Sequence, residues 1–150
     1  MKTCLPLVFL AFLFCGCVQQ QDASNFGFFE KAVVEYAVDG DTIALQNSER
    51  ARLIGIDTPE KGEPCWQEAK DRLQSLVAGK EILMVKDVSE RDKYGRLVRY
   101  VYADGNFVNL QMVQEGFAFA FRFEPDTSLA PVFAAAELAA ADGNGCLWKK

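Results

Sequence analysis

The 150-residue sequence contains no histidine. This absence excludes every catalytic arrangement that depends on imidazole, including Ser/His/Asp and Cys/His groupings, and every zinc site with histidine ligands. Any chemistry must therefore come from carboxylates, arginines, lysines, tyrosines or a hard metal ion.

Cysteine is scarce, and its distribution is uneven. Three of the five cysteines, Cys4, Cys15 and Cys17, lie in the first seventeen residues, which leaves Cys65 and Cys146 for the rest of the chain. Two thiolates cannot form a four-cysteine zinc site. In an exported domain, two cysteines predict one disulfide, Cys65–Cys146, with two free thiols as the alternative.

The N-terminal segment carries an apolar run from Leu5 to Phe14, behind the short basic start Met1-Lys2-Thr3. This run is too short for a membrane-spanning helix and is typical of a signal peptide. The following Phe14-Cys15-Gly16-Cys17 resembles the end of a lipoprotein signal. We expect a signal peptide over residues 1–16, lipidation of Cys17, a tether over 17–27 and one folded domain over 28–150. The protein would then be exported and lipid-anchored in the cell envelope, with a secreted soluble protein as the alternative.

Positive charge is in deficit. The full chain has 16 basic and 21 acidic residues; loss of Lys2 with the signal peptide leaves 15 basic residues and a net charge of −6. This charge argues against strong non-specific adhesion to nucleic acid, although it permits a local basic cleft.

The spacing of apolar residues and the turn and capping residues predict five strands and three helices. Apolar and polar residues alternate in Lys31–Val38, whose apolar face is Ala32, Val34, Tyr36 and Val38. The other predicted strands are 41–46, 52–56, 82–85 and 97–103. The predicted helices are 63–79, a short helix capped by Asn109 and ending at Glu115, and a last helix capped by Thr127 or Ser128 and running to Ala141. In the last helix, Leu129, Phe133 and Leu138 form the apolar side. The predicted fold class is α+β, a small closed five-stranded barrel of the OB type with about three helices.

The stretch Arg52-Leu53-Ile54-Gly55-Ile56-Asp57-Thr58-Pro59-Glu60 joins an apolar strand to a turn with two carboxylates. Strict alternation would place Arg52 and Asp57 on opposite faces of the strand. They can share a site only if the chain bends near Gly55 or at Asp57.

Asp39-Gly40 predicts a hairpin turn between the first two strands, and the first three strands would form an antiparallel meander. In a meander, Asp41, which follows this turn, could lie near Asp57. Two carboxylates, the Thr58 carbonyl and water form a hard oxygen site that suits Ca²⁺. The alternative is that both segments are ordinary turns. Arg52 and Arg96 are the candidate phosphate ligands, since guanidinium forks match phosphate oxygens; the alternative is that both are simply solvated.

Taken together, four ordered motifs resemble the staphylococcal nuclease family over about residues 31–121. The motifs are Asp39-Gly40-Asp41-Thr42, the stretch 52–60, Asp92-Lys93-Tyr94-Gly95-Arg96, and Tyr100-Val101-Tyr102-Ala103-Asp104-Gly105 with Val108-Asn109. The resemblance implies an OB barrel with helices and Ca²⁺-dependent hydrolysis of DNA and RNA to 3′-phosphates, with single-stranded or frayed substrates preferred and no protein partner.

The same resemblance implies roles for individual residues. Asp41, Asp57 and the Thr58 carbonyl would bind the metal; Glu60 would be the general base; Arg52 and Arg96 would bind phosphate; Lys93 and Tyr94 would contact substrate. The alternatives are a non-catalytic nucleic-acid-binding module on the same barrel and a structural envelope lipoprotein.

Residues 117–123 depart from the family, whose members commonly place base-stacking tyrosines in this region. Here the stretch reads Phe-Ala-Phe-Ala-Phe-Arg-Phe. Phenylalanine can also stack on a base. The alternation equally fits a buried strand, which is the interpretation we favour from the sequence.

Overall fold

The structure is a computed structural model that describes residues 29–143 and 145–149. The predicted signal peptide, Cys17 and the tether lie outside the described residues. Within the described part of the chain, no helix is long and apolar enough to cross a membrane.

In the described residues, eight strands and three α-helices follow one another. They are β1 Glu30–Ala37, β2 Thr42–Leu45, β3 Arg50–Leu53, β4 Ile56–Asp57, α1 Trp66–Val77, β5 Glu81–Val85, β6 Leu97–Ala103, β7 Asn106–Phe107, α2 Val108–Gln114, β8 Phe119–Ala120 and α3 Ala130–Ala140, followed by a 3₁₀ helix at Cys146–Trp148.

Five of these strands close into a barrel in the order β3-β2-β1-β5-β6. Each neighbouring pair in this order is antiparallel. The barrel closes because β6 returns to pair in parallel with β3, with Arg52 opposite Val98. The α+β, OB-type fold predicted from the sequence is therefore confirmed.

The barrel interior is filled by the apolar residues of these strands and by one face of α1. Leu53, Ile54 and Ile56 are each at most 1% exposed, as expected for an apolar run covered on both faces. Ala69, Leu73 and Val77 of α1 close one end. The predicted apolar face of β1 is wrong at Tyr36, which is 43% exposed because a bulge shifts the register between Val34 and Tyr36.

Two predicted helix caps are wrong. Asn109 lies inside α2, whose N-cap is Phe107, and its buried carboxamide accepts from Val101 N at 2.9 Å and donates to Ile54 O at 2.9 Å. It therefore fastens α2 to the barrel. Helix α3 begins after Leu129, since the Ser128 hydroxyl donates to Asp87 instead.

The predicted apolar side of α3 is also wrong at one position. Phe133 is buried, whereas Leu138 is 76% exposed.

A disulfide joins Cys65 to Cys146, whose Cα atoms lie 5.8 Å apart across a sequence separation of 81. The predicted pairing is therefore present. In the chain-entropy model, closing a loop of this length stabilises the fold by roughly 4 kcal/mol.

Candidate active site

The site is built around a sharp bend between β3 and β4. Gly55 adopts a left-handed conformation with φ +82°, so the chain turns between Leu53 and Ile56. As a result, Arg52 Nη2 donates to Asp57 Oδ1 at 3.0 Å. The bend required by the sequence argument is present at Gly55.

The Arg52 guanidinium is buried and makes contacts on both sides. Its Nη1 donates to the carbonyls of Leu53 and Ile56 at 2.8 and 2.9 Å. Its Nη2 lies 3.0 Å from Asp41 Oδ2 as well as from Asp57. One rigid cation therefore fixes the positions of both predicted metal carboxylates.

Asp41 lies at the base of the site, just before β2. Its Oδ2 accepts from the backbone N of Thr58 at 3.2 Å, and its Oδ1 accepts from the Thr42 hydroxyl at 3.0 Å. Gly40 permits this approach, because a Cβ there would lie 2.8 Å from the Thr58 side chain.

Burial raises the pKa of Asp41 to about 7, an effect that Arg52 opposes and the nearby Asp39 carboxylate reinforces. Asp41 is thus buried between one cation, Arg52, and a second carboxylate, Asp39.

The oxygen donors at this position fit a hard cation. Asp41, with 10% of its side chain exposed, forms the inner side, and Asp57, with 51% exposed, opens toward solvent. Within residues 29–143 and 145–149, no group of three or more acidic or cysteine side chains is arranged to hold a metal. Asp41, Asp57 and the Thr58 carbonyl are the oxygen groups that would hold a Ca²⁺ ion here, with water completing its coordination.

Arg96 approaches the same centre from the loop between β5 and β6. Its Nε pairs with Asp92 at 2.7 Å, and its Nη1 donates to the Thr42 hydroxyl at 3.3 Å. Thr42 in turn donates to Asp41, so a hydrogen-bonded path joins Arg96 to the centre.

Lys93 and Tyr94 extend from the same loop into solvent. Tyr94 is 71% exposed, and its ring lies 5.0 Å from Lys93 Nζ and 5.3 Å from the Arg96 guanidinium carbon. They are placed beside Arg96, at the outer edge of the site.

Glu60 is exposed and lines a cleft of about 550 Å³ together with Asp57 and Thr58. Its backbone N donates to Glu63 Oε2 at 2.7 Å. Among the described residues, no cation pairs with the Glu60 carboxylate. The position suits a group that accepts a proton from a water molecule in the cleft.

The interpretation of residues 117–123 as a buried strand is wrong. Strand β8 has only two residues and pairs with β4 alone, with Phe119 opposite Asp57. Ala118 faces inward, while Phe119 and Phe121 are 38% and 45% exposed. Phe117 and Phe123 are half-buried and pack against the core, so the rings of this stretch divide between the interior and the surface.

Sequence reasoning gave no role to Asp39 or Thr42, although both belong to the Asp-Gly-Asp-Thr motif. Asp39 Oδ1 accepts from Asp41 N at 3.1 Å, which shapes the turn, and Thr42 links Asp41 to Arg96. The signal available in the sequence was that two polar residues, Asp39 and Thr42, lie before and after the candidate ligand Asp41. Leu147 and Lys149, which also line the cleft, carried no such signal.

Comparison with known proteins places these residues in a family. The family model described as staphylococcal nuclease homologue matches residues 50–150. The chain is 38% identical over 128 residues to the SPbeta prophage-derived endonuclease YokF of Bacillus subtilis, covering 78% of this chain and 43% of that protein.

Two further relatives agree with this assignment. Endonuclease YncB of Bacillus subtilis is 37% identical over 128 residues, covering 78% of this chain and 61% of that protein. The thermonuclease of Staphylococcus intermedius is 31% identical over 106 residues, covering 65% of this chain and 63% of that protein. The chain thus spans less than two thirds of the length of these relatives.

Proposed function

Because the chain belongs to the staphylococcal nuclease family, we propose that it is a phosphodiesterase that hydrolyses DNA and RNA with Ca²⁺ and leaves 3′-phosphates. The observation that carries this proposal is the convergence of Asp41 and Asp57 on Arg52, beside a cleft that exposes Glu60. The binding-module alternative gives no role to two carboxylates held together on one arginine beside this cleft.

In the proposed reaction, Glu60 takes a proton from a water molecule whose oxygen attacks phosphorus in line with the leaving group. The bond from phosphorus to the 5′-oxygen breaks, and that oxygen leaves as a hydroxyl after gaining a proton. The phosphate remains on the 3′-oxygen.

Arg52 and Arg96 supply positive charge where it is needed. Two guanidinium charges beside one phosphate would neutralise the negative charge that grows on its oxygens in the transition state. Ca²⁺, when held by Asp41, Asp57 and the Thr58 carbonyl, would supply Lewis acidity at a non-bridging oxygen. Lys93 and Tyr94 bind the strand next to the reacting phosphate, and single-stranded or frayed substrates reach the cleft most easily.

The proposal includes export and attachment to the cell envelope through a lipid on Cys17. The apolar leader and the Phe14-Cys15-Gly16-Cys17 sequence support it. A secreted soluble enzyme is the alternative.

The test is cleavage of labelled single-stranded DNA and RNA by the purified protein. We expect activity with Ca²⁺, loss of activity in EDTA, recovery when Ca²⁺ is restored in excess, and product 3′ ends that phosphatase treatment converts to hydroxyls. Full activity in EDTA would contradict the Ca²⁺ requirement. Binding of the strand without cleavage would favour the non-catalytic binding module.

A further inference from the structure

The cleft that holds Glu60 has a second wall that the proposed reaction does not use. Cys146, Leu147 and Lys149, from the segment 145–149, line the same cleft as Glu60. Phe119 of β8 lines the same cleft.

Several contacts fix this segment against the barrel. The disulfide joins it to Cys65, directly before α1, and Leu147 N donates to Gly116 O at 3.0 Å. The Trp148 ring lies edge-on to Phe119, with centroids 5.7 Å apart. Since Phe119 pairs with Asp57 across β4 and β8, the segment is connected to the candidate metal site through one ring and one strand pair.

The packing beside this segment leaves little room. A Cβ added to Gly145 would lie 2.6 Å from Gly116 Cα, so the two backbones are in direct contact. The wall is therefore part of the fold rather than a loose extension.

The charges around the cleft are unbalanced. The acidic side chains that line it are Asp57, Glu60 and Glu63, and among the described lining residues the one cation is Lys149. No carboxylate in the described part of the chain pairs with the Lys149 ammonium. A polyanionic strand that enters this cleft meets Lys149 as the one positive charge among the described residues that line it.

We propose that segment 145–149 is a substrate-binding wall, in which Lys149 binds a phosphate adjacent to the scissile one and the Cys65–Cys146 disulfide holds it in place. The inference rests on the proposed nuclease function and adds to it a subsite for a nucleic-acid strand. Phe119 and Leu147 provide the apolar surface against which a sugar or base of the same nucleotide packs.

The first experiment compares Lys149→Gln, Lys149→Arg and Lys80→Gln with the wild type in cleavage of a single-stranded oligothymidylate. Lys80 is the matched control, because it is a partly exposed lysine that pairs with Asp104 and does not line the cleft. We expect Lys149→Gln to raise KM by about 3- to 10-fold with kcat little changed, as loss of one phosphate contact does. Lys149→Arg should restore KM.

The dependence of KM on salt gives a readout that a structural role would not change. Each phosphate contact contributes a slope of about 0.7 in log K against log salt for a single strand. Lys149→Gln should reduce the slope by about that amount, whereas Lys80→Gln should leave it unchanged. Equal slopes in the two variants would overturn the inference.

The second experiment tests the role of the disulfide with Cys65→Ser/Cys146→Ser, alone and combined with Lys149→Gln. If the disulfide holds Lys149 in place, the serine variant raises KM and the further effect of Lys149→Gln shrinks, which is a measurable coupling between the sites. If the disulfide only stabilises the fold, Tm falls while Lys149→Gln keeps its full effect on KM, and this part of the inference is wrong.

Failure of the inference can be told apart from failure of the nuclease function. If the wild type cleaves the oligonucleotide and Lys149→Gln has the same KM and the same salt slope, the nuclease function stands and the proposed subsite is wrong. If the wild type neither binds the oligonucleotide in fluorescence anisotropy nor cleaves it in gel assays, both the nuclease function and the subsite are wrong.

Discussion

Arg52 and Asp57 are five residues apart in the chain, yet Arg52 Nη2 lies 3.0 Å from Asp57 Oδ1. On a straight strand the two side chains would point to opposite faces. They meet because the chain bends at Gly55, so that side chains on either side of the bend point to the same site. The position of Asp57, the second predicted metal carboxylate, therefore depends on the left-handed backbone conformation of Gly55.

Gly55→Ala should be severely destabilising. The added Cβ would lie 2.2 Å from the ring of the buried Phe133, at a residue whose φ of +82° already disfavours a side chain. Strain and overpacking together should cost about 3 kcal/mol or more. Gly105→Ala is the control, since Gly105 has φ +78° with nothing within 4 Å, and should cost about 1 kcal/mol. Urea denaturation measures both; equal losses would show that Phe133 moves aside at no cost.

Asp41 should make metal-free stability depend on pH. Burial raises its pKa to about 7 in the folded protein, above its ordinary value of 3.8. Between these values the folded protein binds more protons at this group than the unfolded chain does, so its contribution to stability is lost as pH rises from about 4 to about 7. In EDTA, Asp41→Asn should remove this loss. A difference in Tm between variant and wild type that stays constant over this range would contradict the prediction.

Arg52→Lys should lose both activity and stability. A lysine ammonium cannot reproduce the fork that reaches the Leu53 and Ile56 carbonyls together with two carboxylates. Arg50→Lys is the matched control, because Arg50 lies two residues earlier on β3 and is exposed. Cleavage rate and Tm are measured for both variants. Retention of the wild-type rate in Arg52→Lys would mean that a point charge suffices at this position.

The fold was predictable from the sequence because the apolar pattern, the turn residues and the inserted helix all indicate the same barrel. The predictions of buried positions were wrong where a local backbone feature changed the side of the strand on which a residue lies. The bulge near Tyr36 exposes a residue of the predicted inner face. The short strand β8, which pairs with β4 alone, leaves Phe119 exposed, and Phe121 just after it is exposed as well. Alternation alone predicts neither arrangement, because the same alternating pattern fits a strand with either of its two faces toward the core.

Site residues could be predicted where a short motif contains the chemical group. They could not be predicted where only tertiary packing brings the group to the site. Asp41, Asp57 and Arg52 belong to short motifs, and the structure brings them together. Lys149 lies 89 residues from Glu60 in the sequence. The disulfide, the Gly116 contact and the Trp148–Phe119 ring contact place its segment on the cleft. Its position therefore required the structure.

Lipidation predicts a change in location for Cys17→Ala. Several acyl chains on one cysteine hold a protein firmly at a membrane, whereas one chain anchors it weakly. We expect the wild type in the membrane fraction and Cys17→Ala in the soluble fraction, with Cys15→Ala as the matched control that stays with the membrane. A soluble wild type whose mature chain starts at another residue would refute lipidation at Cys17.

Glu60→Gln should separate catalysis from binding. Glutamine keeps the size and polarity of the side chain but cannot accept a proton from water, and loss of a positioned base typically lowers the rate by ~10²–10⁴. Because Glu60 is exposed and unpaired among the described residues, its replacement should leave Tm and strand affinity nearly unchanged. Glu63→Gln is the matched control: it lines the same cleft, and its amide oxygen can still accept from Glu60 N, where the native distance is 2.7 Å.

The measurement for this pair is single-turnover cleavage at saturating Ca²⁺, together with oligonucleotide binding by fluorescence anisotropy. Glu60→Gln should lose the cleavage step and keep binding, while Glu63→Gln should keep both. If the two variants lose activity equally, the effect belongs to the charge of the cleft and not to a base. If Glu60→Gln turns over at the wild-type rate, the water is activated without Glu60 and the proposed mechanism is wrong.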